Sequence, residues 1–171
     1  LRPLLPIESR PGILKFDDKK DARPLIRIYE DFSVWPIEEL RFNPLRPPPG
    51  MDVKRYWQFL AEALGFTFKV YLAGVNYFIE FLDILYDDWR RTGKFPTLVD
   101  LYRLVVTTHE TAPKRVDYYS VMYNRIRTLV SVLGDTFTVD RPFPVELLSK
   151  PFAIELYGLR AVDQETVISI V

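Results

Sequence analysis

Hydrophobic and polar positions change rhythm twice along the chain. Near the start, Ile13-Leu14-Lys15-Phe16 is a short apolar run halted by the charged turn Asp17-Asp18-Lys19-Lys20-Asp21, which predicts a buried strand ending in an exposed loop. Leu25-Ile26-Arg27-Ile28-Tyr29 is β-branched and partly alternating and predicts a second strand. Asn43-Pro44 and the run Pro47-Pro48-Pro49-Gly50 then forbid a helix, because a residue before proline leaves the helical region.

Beyond Gly50 the spacing becomes helical, and four helices are predicted. Asp52 is placed to N-cap the first, whose apolar face is Val53, Tyr56, Trp57, Leu60 and Leu64, with Gly65 as its end. The second, roughly 68–91, is apolar nearly all round and is expected at the centre. Thr97 and Asp100 resemble a capping box before Leu98, Leu101, Tyr102 and Val105. The last, about 114–133, carries Tyr119, Met122, Ile126, Leu129 and Leu133 at three- and four-residue steps and is expected to stop at Gly134. Packing alone accounts for these aromatic stripes.

The rhythm then shortens again. Val145 to Leu148 reads as a helical turn behind Pro144, Phe152 to Leu156 as a buried strand, and Asp163 as the cap of a final helix over Val167, Ile168 and Val171. This order predicts an α/β protein with an all-α module spliced between two strands. The expected parts are 1–50, a partial α/β core; 51–134, an inserted all-α domain; and 135–171, a return to the core. The chain opens at Leu1 and closes inside the last predicted helix, and it is expected to be a piece of something longer.

Composition narrows the chemistry. With 171 residues the chain can bury a real core, and 12 Phe, 10 Tyr and 3 Trp argue against disorder. There is no cysteine, so disulfides, thiolate catalysis and Cys-based zinc sites are excluded, and a reducing cytoplasm is the expected home. A single histidine, His109, argues against a His-dependent triad or a multi-His metal cluster. His109-Glu110 would need ligands from elsewhere, and no metal is expected. Basic and acidic residues number 23 each, which argues against an obligate nucleic-acid coat. Part by part they stand at 9 against 8, 11 against 9 and 3 against 6, so the slight basic excess lies in the helical middle. No segment resembles a signal peptide or a membrane span; the most apolar run, 66–86, contains Lys69, Asn76, Glu80 and Asp83.

A phosphate-binding loop would be glycine-rich and end in Lys-Ser/Thr. The sole Gly-Lys pair, Gly93-Lys94, is followed by Phe95 and reads as a helix-ending turn, not as a phosphate loop. Phe152-Ala153-Ile154-Glu155 has the outline of an apolar strand closing in a catalytic carboxylate, but Leu156-Tyr157 follows, so Glu155 is expected within the strand. Asp87-Asp88 beside Arg90-Arg91 reads as a solvated, self-paired helix end.

Four pieces in order then carry a resemblance: Phe16-Asp17-Asp18-Lys19-Lys20-Asp21; Arg41-Phe42-Asn43-Pro44-Leu45; Phe95-Pro96-Thr97-Leu98-Val99-Asp100-Leu101; and Ile154-Glu155-Leu156-Tyr157-Gly158-Leu159. Together they resemble the interior of a HerA-FtsK superfamily ATPase, in the branch of conjugation and type IV secretion motors. The resemblance runs over nearly the whole chain from Ile13. It implies a partial RecA-like P-loop NTPase core with an inserted four-helix domain, a homo-oligomeric ring as the parent assembly, and ATP with Mg²⁺ as the parent's cofactors. It places Asp17, Lys19 and Asp21 beside the nucleotide, with Asp17 a candidate catalytic base; Asp18 stands where proline is usual and Lys20 where glycine is usual. On residues alone, the same loop reads equally as an acidic turn that solubilises a strand end.

Neither phosphate-handling motif is within the chain, so by itself it is expected not to hydrolyse ATP. The resemblance also implies that the helices meet DNA or a partner protein. Candidates for DNA phosphate contact are Lys54, Arg55, Arg90, Arg91, Lys94, Lys114, Arg115, Arg125 and Arg127. The alternative is a free-standing, non-enzymatic helical interaction module, with Trp35, Trp57 or Trp89 in a protein-binding patch.

Overall fold

The structure, a computed structural model, describes residues 12–111 and 117–171. Its elements run β1 (Leu14–Asp17), β2 (Ser33–Pro36), α1 (Ile37–Leu40), α2 (Val53–Phe68), α3 (Tyr71–Thr92), α4 (Leu98–Thr111), α5 (Asp117–Phe137), β3 (Phe152–Glu155) and α6 (Ala161–Ile170). Short 3-10 turns cover Arg23–Arg27 and Val145–Ser149. Two compact units are present: residues 12–40 with 144–159, and residues 41–143 with 160–171.

The first unit is built on a three-stranded parallel sheet of order β1-β3-β2. Register sets Leu14 and Ser33 level with Phe152, and Asp17 and Pro36 level with Glu155. The central strand β3 is buried along its whole length, as a strand with two neighbours requires. Ala153 packs with Ala22 and Phe32, with Leu25 and Val34 at the margin. The predicted strand over Leu25–Tyr29 does not form. Pro24 starts a 3-10 turn there, Ile26, Ile28 and Tyr29 face solvent, and the second strand comes later, at Ser33–Pro36.

The second unit is helical. α2 and α3 form a hairpin turned by Lys69, which takes the left-handed conformation at the end of α2. Asp52 caps α2 by accepting a hydrogen bond from the Arg55 N–H at 2.8 Å. The helix does not stop at Gly65 but continues to Phe68. Gly65 is there for packing, because a Cβ at that position would collide with Val75 of α3. Gly93, with φ of 72°, does end α3. Asp100 accepts from both the N–H and the hydroxyl of Thr97 at 2.8 Å, which fixes the start of α4. α5 passes through Gly134 to Phe137 with an irregular turn at Leu133.

The segment before α2 is tied to the helices by its polar groups. Buried Asn43 donates to the Pro96 carbonyl at 2.8 Å and accepts from the Leu45 N–H at 2.9 Å. Trp57 donates to the Leu45 carbonyl, and the Tyr56 hydroxyl to that of Pro44. Burial pushes the Tyr56 hydroxyl pKa up to about 12. Phe42 meets Phe137 and Phe143 edge to face, with ring centroids 5.0 and 5.3 Å away.

These observations correct the expected fold class. A partial RecA-like P-loop core carrying a four-helix insertion is not what the chain shows. The described residues are mostly helical, and the sheet has only three strands of four residues each. One of the two strands predicted before the helices coils instead. The closing helix α6, expected in the α/β part, packs on α2, where the Ser169 and Thr67 hydroxyls lie 2.6 Å apart. Arg160 is the N-cap of α6 and Asp163 lies in its first turn, where Asp163 pairs with the Arg160 guanidinium at 2.7 Å. Among the described residues no helix is long and apolar enough to cross a membrane.

Candidate functional site

Parallel strands end together, so whatever follows their carboxyl ends shares one rim. Here that rim carries the loop after β1, the end of β3 at Glu155 and the end of β2 at Pro36. Asp17 is the last residue of β1 and only 1% exposed. One carboxylate oxygen accepts from the Ala22 N–H at 2.9 Å; the other accepts from the N–H groups of Asp21 at 3.2 Å and Lys19 at 3.3 Å. Burial alone pushes the Asp17 carboxyl up, but the three backbone hydrogen bonds outweigh it and hold the group below the ordinary carboxylate range. The loop folds tightly around this anion, with Lys20 at φ 61° in the left-handed region that favours glycine. Asp21 is exposed and pairs with Lys15.

Glu155 does not lie within its strand, as expected, but at the tip. It is buried, and Arg23 reaches it with two hydrogen bonds, Nε at 2.5 Å and a terminal nitrogen at 2.7 Å. That fork holds the Glu155 carboxyl below its ordinary range against the opposing push of burial. Just beyond, Tyr157 is exposed, and the Lys20 ammonium sits 4.3 Å from its ring centre. Thus Asp17, Lys19 and Asp21 do share one loop, but the carboxylates of Asp17 and Glu155 are engaged internally. Lys19, Lys20 and Tyr157 present themselves to solvent. Arg23 was missed from sequence because its partner lies 132 positions away and neither residue belongs to a spaced motif.

A second set of candidates gathers in the helical unit. The α2–α3 hairpin runs antiparallel, so the first turn of α2 and the last turn of α3 lie at one end. Lys54 and Arg55 lie in the first turn of α2, Arg90 and Arg91 in the last turn of α3 and Lys94 just beyond it, and all five are exposed. Acidic groups answer some of them: Lys54 lies 3.7 Å from Asp83, and Arg91 lies 2.6 Å from Asp88, the self-pairing expected of that helix end. Arg55 and Arg90 lie over the rings of Phe59 and Tyr86. Arg125 and Arg127 sit midway along α5. Lys114 and Arg115 lie outside the described residues.

The tryptophans are not the exposed aromatics that an interaction patch would need. Trp57 is buried, Trp89 stacks on Phe95 with centroids 5.1 Å apart, and Trp35 is half-buried in β2. Phe59, Phe66 and Leu72 are exposed instead. Among the described residues no three His, Asp or Glu side chains converge as a metal site requires. The chain matches no protein-family model, and no curated protein matches its sequence.

Proposed function

We propose that this chain is a segment of a nucleic-acid-translocating ATPase of the HerA-FtsK kind, with its helical unit contacting DNA or a partner protein. ATP and Mg²⁺ chemistry belongs to the parent protein in this reading, and the chain alone is not a catalyst. The observation that supports it best is the Asp17 loop at the carboxyl ends of three parallel strands, the place where open parallel sheets take their ligands. Asp17, buried and held anionic, acts there by shaping the loop that presents Lys19 and Lys20. Support for DNA contact comes from the exposed basic side chains Lys54 and Arg55 on α2 and Arg90, Arg91 and Lys94 at the end of α3.

The test has two arms. Binding of the chain to a random-sequence duplex should be measurable at about 50 mM salt and fall steeply by about 200 mM, and Arg90→Glu with Arg91→Glu should reduce the salt slope. Asp17→Ala in the complete reading frame should abolish ATP turnover. Salt-insensitive or absent duplex binding defeats the DNA contact, and full turnover defeats the role of the loop. The second reading, a non-enzymatic protein-interaction module, draws on the exposed Phe59, Phe66 and Leu72. Unimpaired function of the parent without any nucleotide would select it.

A further inference from the structure

The outer face of α2 carries a stripe of charged and aromatic side chains, within which the Arg55 guanidinium lies 5.7 Å from the Phe59 ring centre. Arg55, Phe59, Glu62 and Phe66 recur at steps of four, three and four, so they form one narrow stripe along the helix. The opposite face, with Trp57, Leu60, Ala61, Leu64 and Phe68, is the buried one. All four stripe residues are exposed; Phe59 is 52% and Phe66 is 87% exposed. Met51, just ahead of the helix, is 44% exposed as well. α6 meets α2 at Thr67, on the flank of the stripe.

The order of this stripe is its own complement. When a second α2 is laid antiparallel, with the two-fold axis between positions 58 and 59, Arg55 of each copy comes level with Glu62 of the other. In the same register Phe66 reaches the N-terminal edge of the partner helix, where Met51 lies just ahead of the first turn, and Phe59 comes level with Gln58. Opposite charges meet twice, and the two Phe59 side chains meet at the centre. A parallel arrangement would set arginine against arginine and glutamate against glutamate. Such self-matching is the requirement of an isologous contact, in which one patch serves both partners. The chain as a whole has no net charge to hold two copies apart.

We propose that α2 pairs antiparallel with α2 of a second copy of this chain, with Phe59 and Phe66 as its apolar contacts and Arg55–Glu62 as its reciprocal ion pairs. A helix of 16 residues is about 24 Å long, so the contact is small and the dimer weak and concentration-dependent.

Sedimentation velocity on the 171-residue chain over a wide range of protein concentration tests this. A reversible monomer–dimer equilibrium is expected. Arg55→Glu and Glu62→Arg, each alone, place like charges opposite one another and should weaken the dimer by roughly tenfold or more. The double variant Arg55→Glu with Glu62→Arg restores both pairs and should recover most of the affinity. All of these positions are exposed, so the fold tolerates the changes. A chain that stays monomeric at every concentration overturns the proposal. So does a dimer that the single variants leave unchanged, or one that the double variant fails to restore.

Discussion

Arg23 and Glu155 stand 132 positions apart, yet the guanidinium of one closes on the carboxylate of the other through two hydrogen bonds of 2.5 and 2.7 Å. The pair joins the 3-10 turn after the Asp17 loop to the end of the central strand. Glu155 is buried, while Arg23 is more than half exposed, so the two ends of the bond are not equivalent. Removing the arginine strands a buried carboxylate, and removing the carboxylate frees an arginine that water can solvate.

That asymmetry predicts the outcome of a mutant cycle. Arg23→Ala should lower the Tm by about 4–8 °C, whereas Glu155→Gln should cost less. Combining Arg23→Ala with Glu155→Gln should bring back most of the loss, because a neutral amide is cheaper to bury than an unpaired charge. Thermal unfolding of the four proteins at pH 7 checks the prediction; strictly additive losses would refute it.

Acid should loosen the same unit. Asp17 is held below the ordinary carboxylate range by three backbone N–H groups despite its burial. The Glu155 carboxyl is held down by Arg23. For an acid whose folded pKa is depressed, the stabilisation is complete above the unfolded value and disappears as pH falls through the folded one. The unfolded values are about 4, so the urea midpoint should be flat from pH 7 to about 5 and then decline steeply as pH falls below about 4. Asp17→Asn should be less stable at pH 7 and show a shallower decline.

Gly65 tests a packing contact. Alanine is the better helix former by about 1 kcal/mol, which alone would make Gly65→Ala stabilising. The new methyl would meet Val75, whose branched side chain has few ways to turn aside. Overpacking costs about 1–3 kcal/mol, so a net loss of about 1 kcal/mol is expected from denaturant unfolding. Val75→Ala in the Gly65→Ala background should recover stability, although Val75→Ala alone should reduce it.

The same glycine shows where sequence reading succeeds and where it fails. Helix starts were legible because a cap is a local event: Asp52 bonds three residues ahead, and Asp100 bonds back to Thr97. Helix ends were legible at Gly93, where the backbone turns left-handed, and misplaced at Gly65 and Gly134, where it does not. Nothing local separates a glycine that ends a helix from one that lets another helix approach. The Leu25–Tyr29 segment misled for a related reason. Its β-branched residues promised burial, but Pro24 started a turn and left Ile26 and Ile28 in solvent. At the candidate site, Asp17, Lys19 and Asp21 could be grouped because one loop holds them. Arg23 could not be matched to Glu155, because only the sheet brings them together.

Asn43 gives the sharpest chemical test. Its amide is buried and uses both ends, donating to the Pro96 carbonyl and accepting from the Leu45 N–H. Asn43→Ala leaves both backbone groups without that partner and should cost about 2–4 kcal/mol. Asn43→Asp has nearly the same shape and keeps the acceptor, but an ionised carboxylate would face the Pro96 carbonyl with no hydrogen to donate. Protonation restores the donor, so this acid should have a raised pKa in the folded protein. A group of that kind is least harmful when protonated and most harmful once pH exceeds its folded pKa. The gap between Asn43→Asp and the wild-type protein should therefore be wide at pH 8 and narrow as pH falls towards 4, while the gap for Asn43→Ala stays constant. Urea midpoints for the three proteins across that range decide it. A constant gap for Asn43→Asp would mean that the side chain does not hold the Pro96 carbonyl in solution.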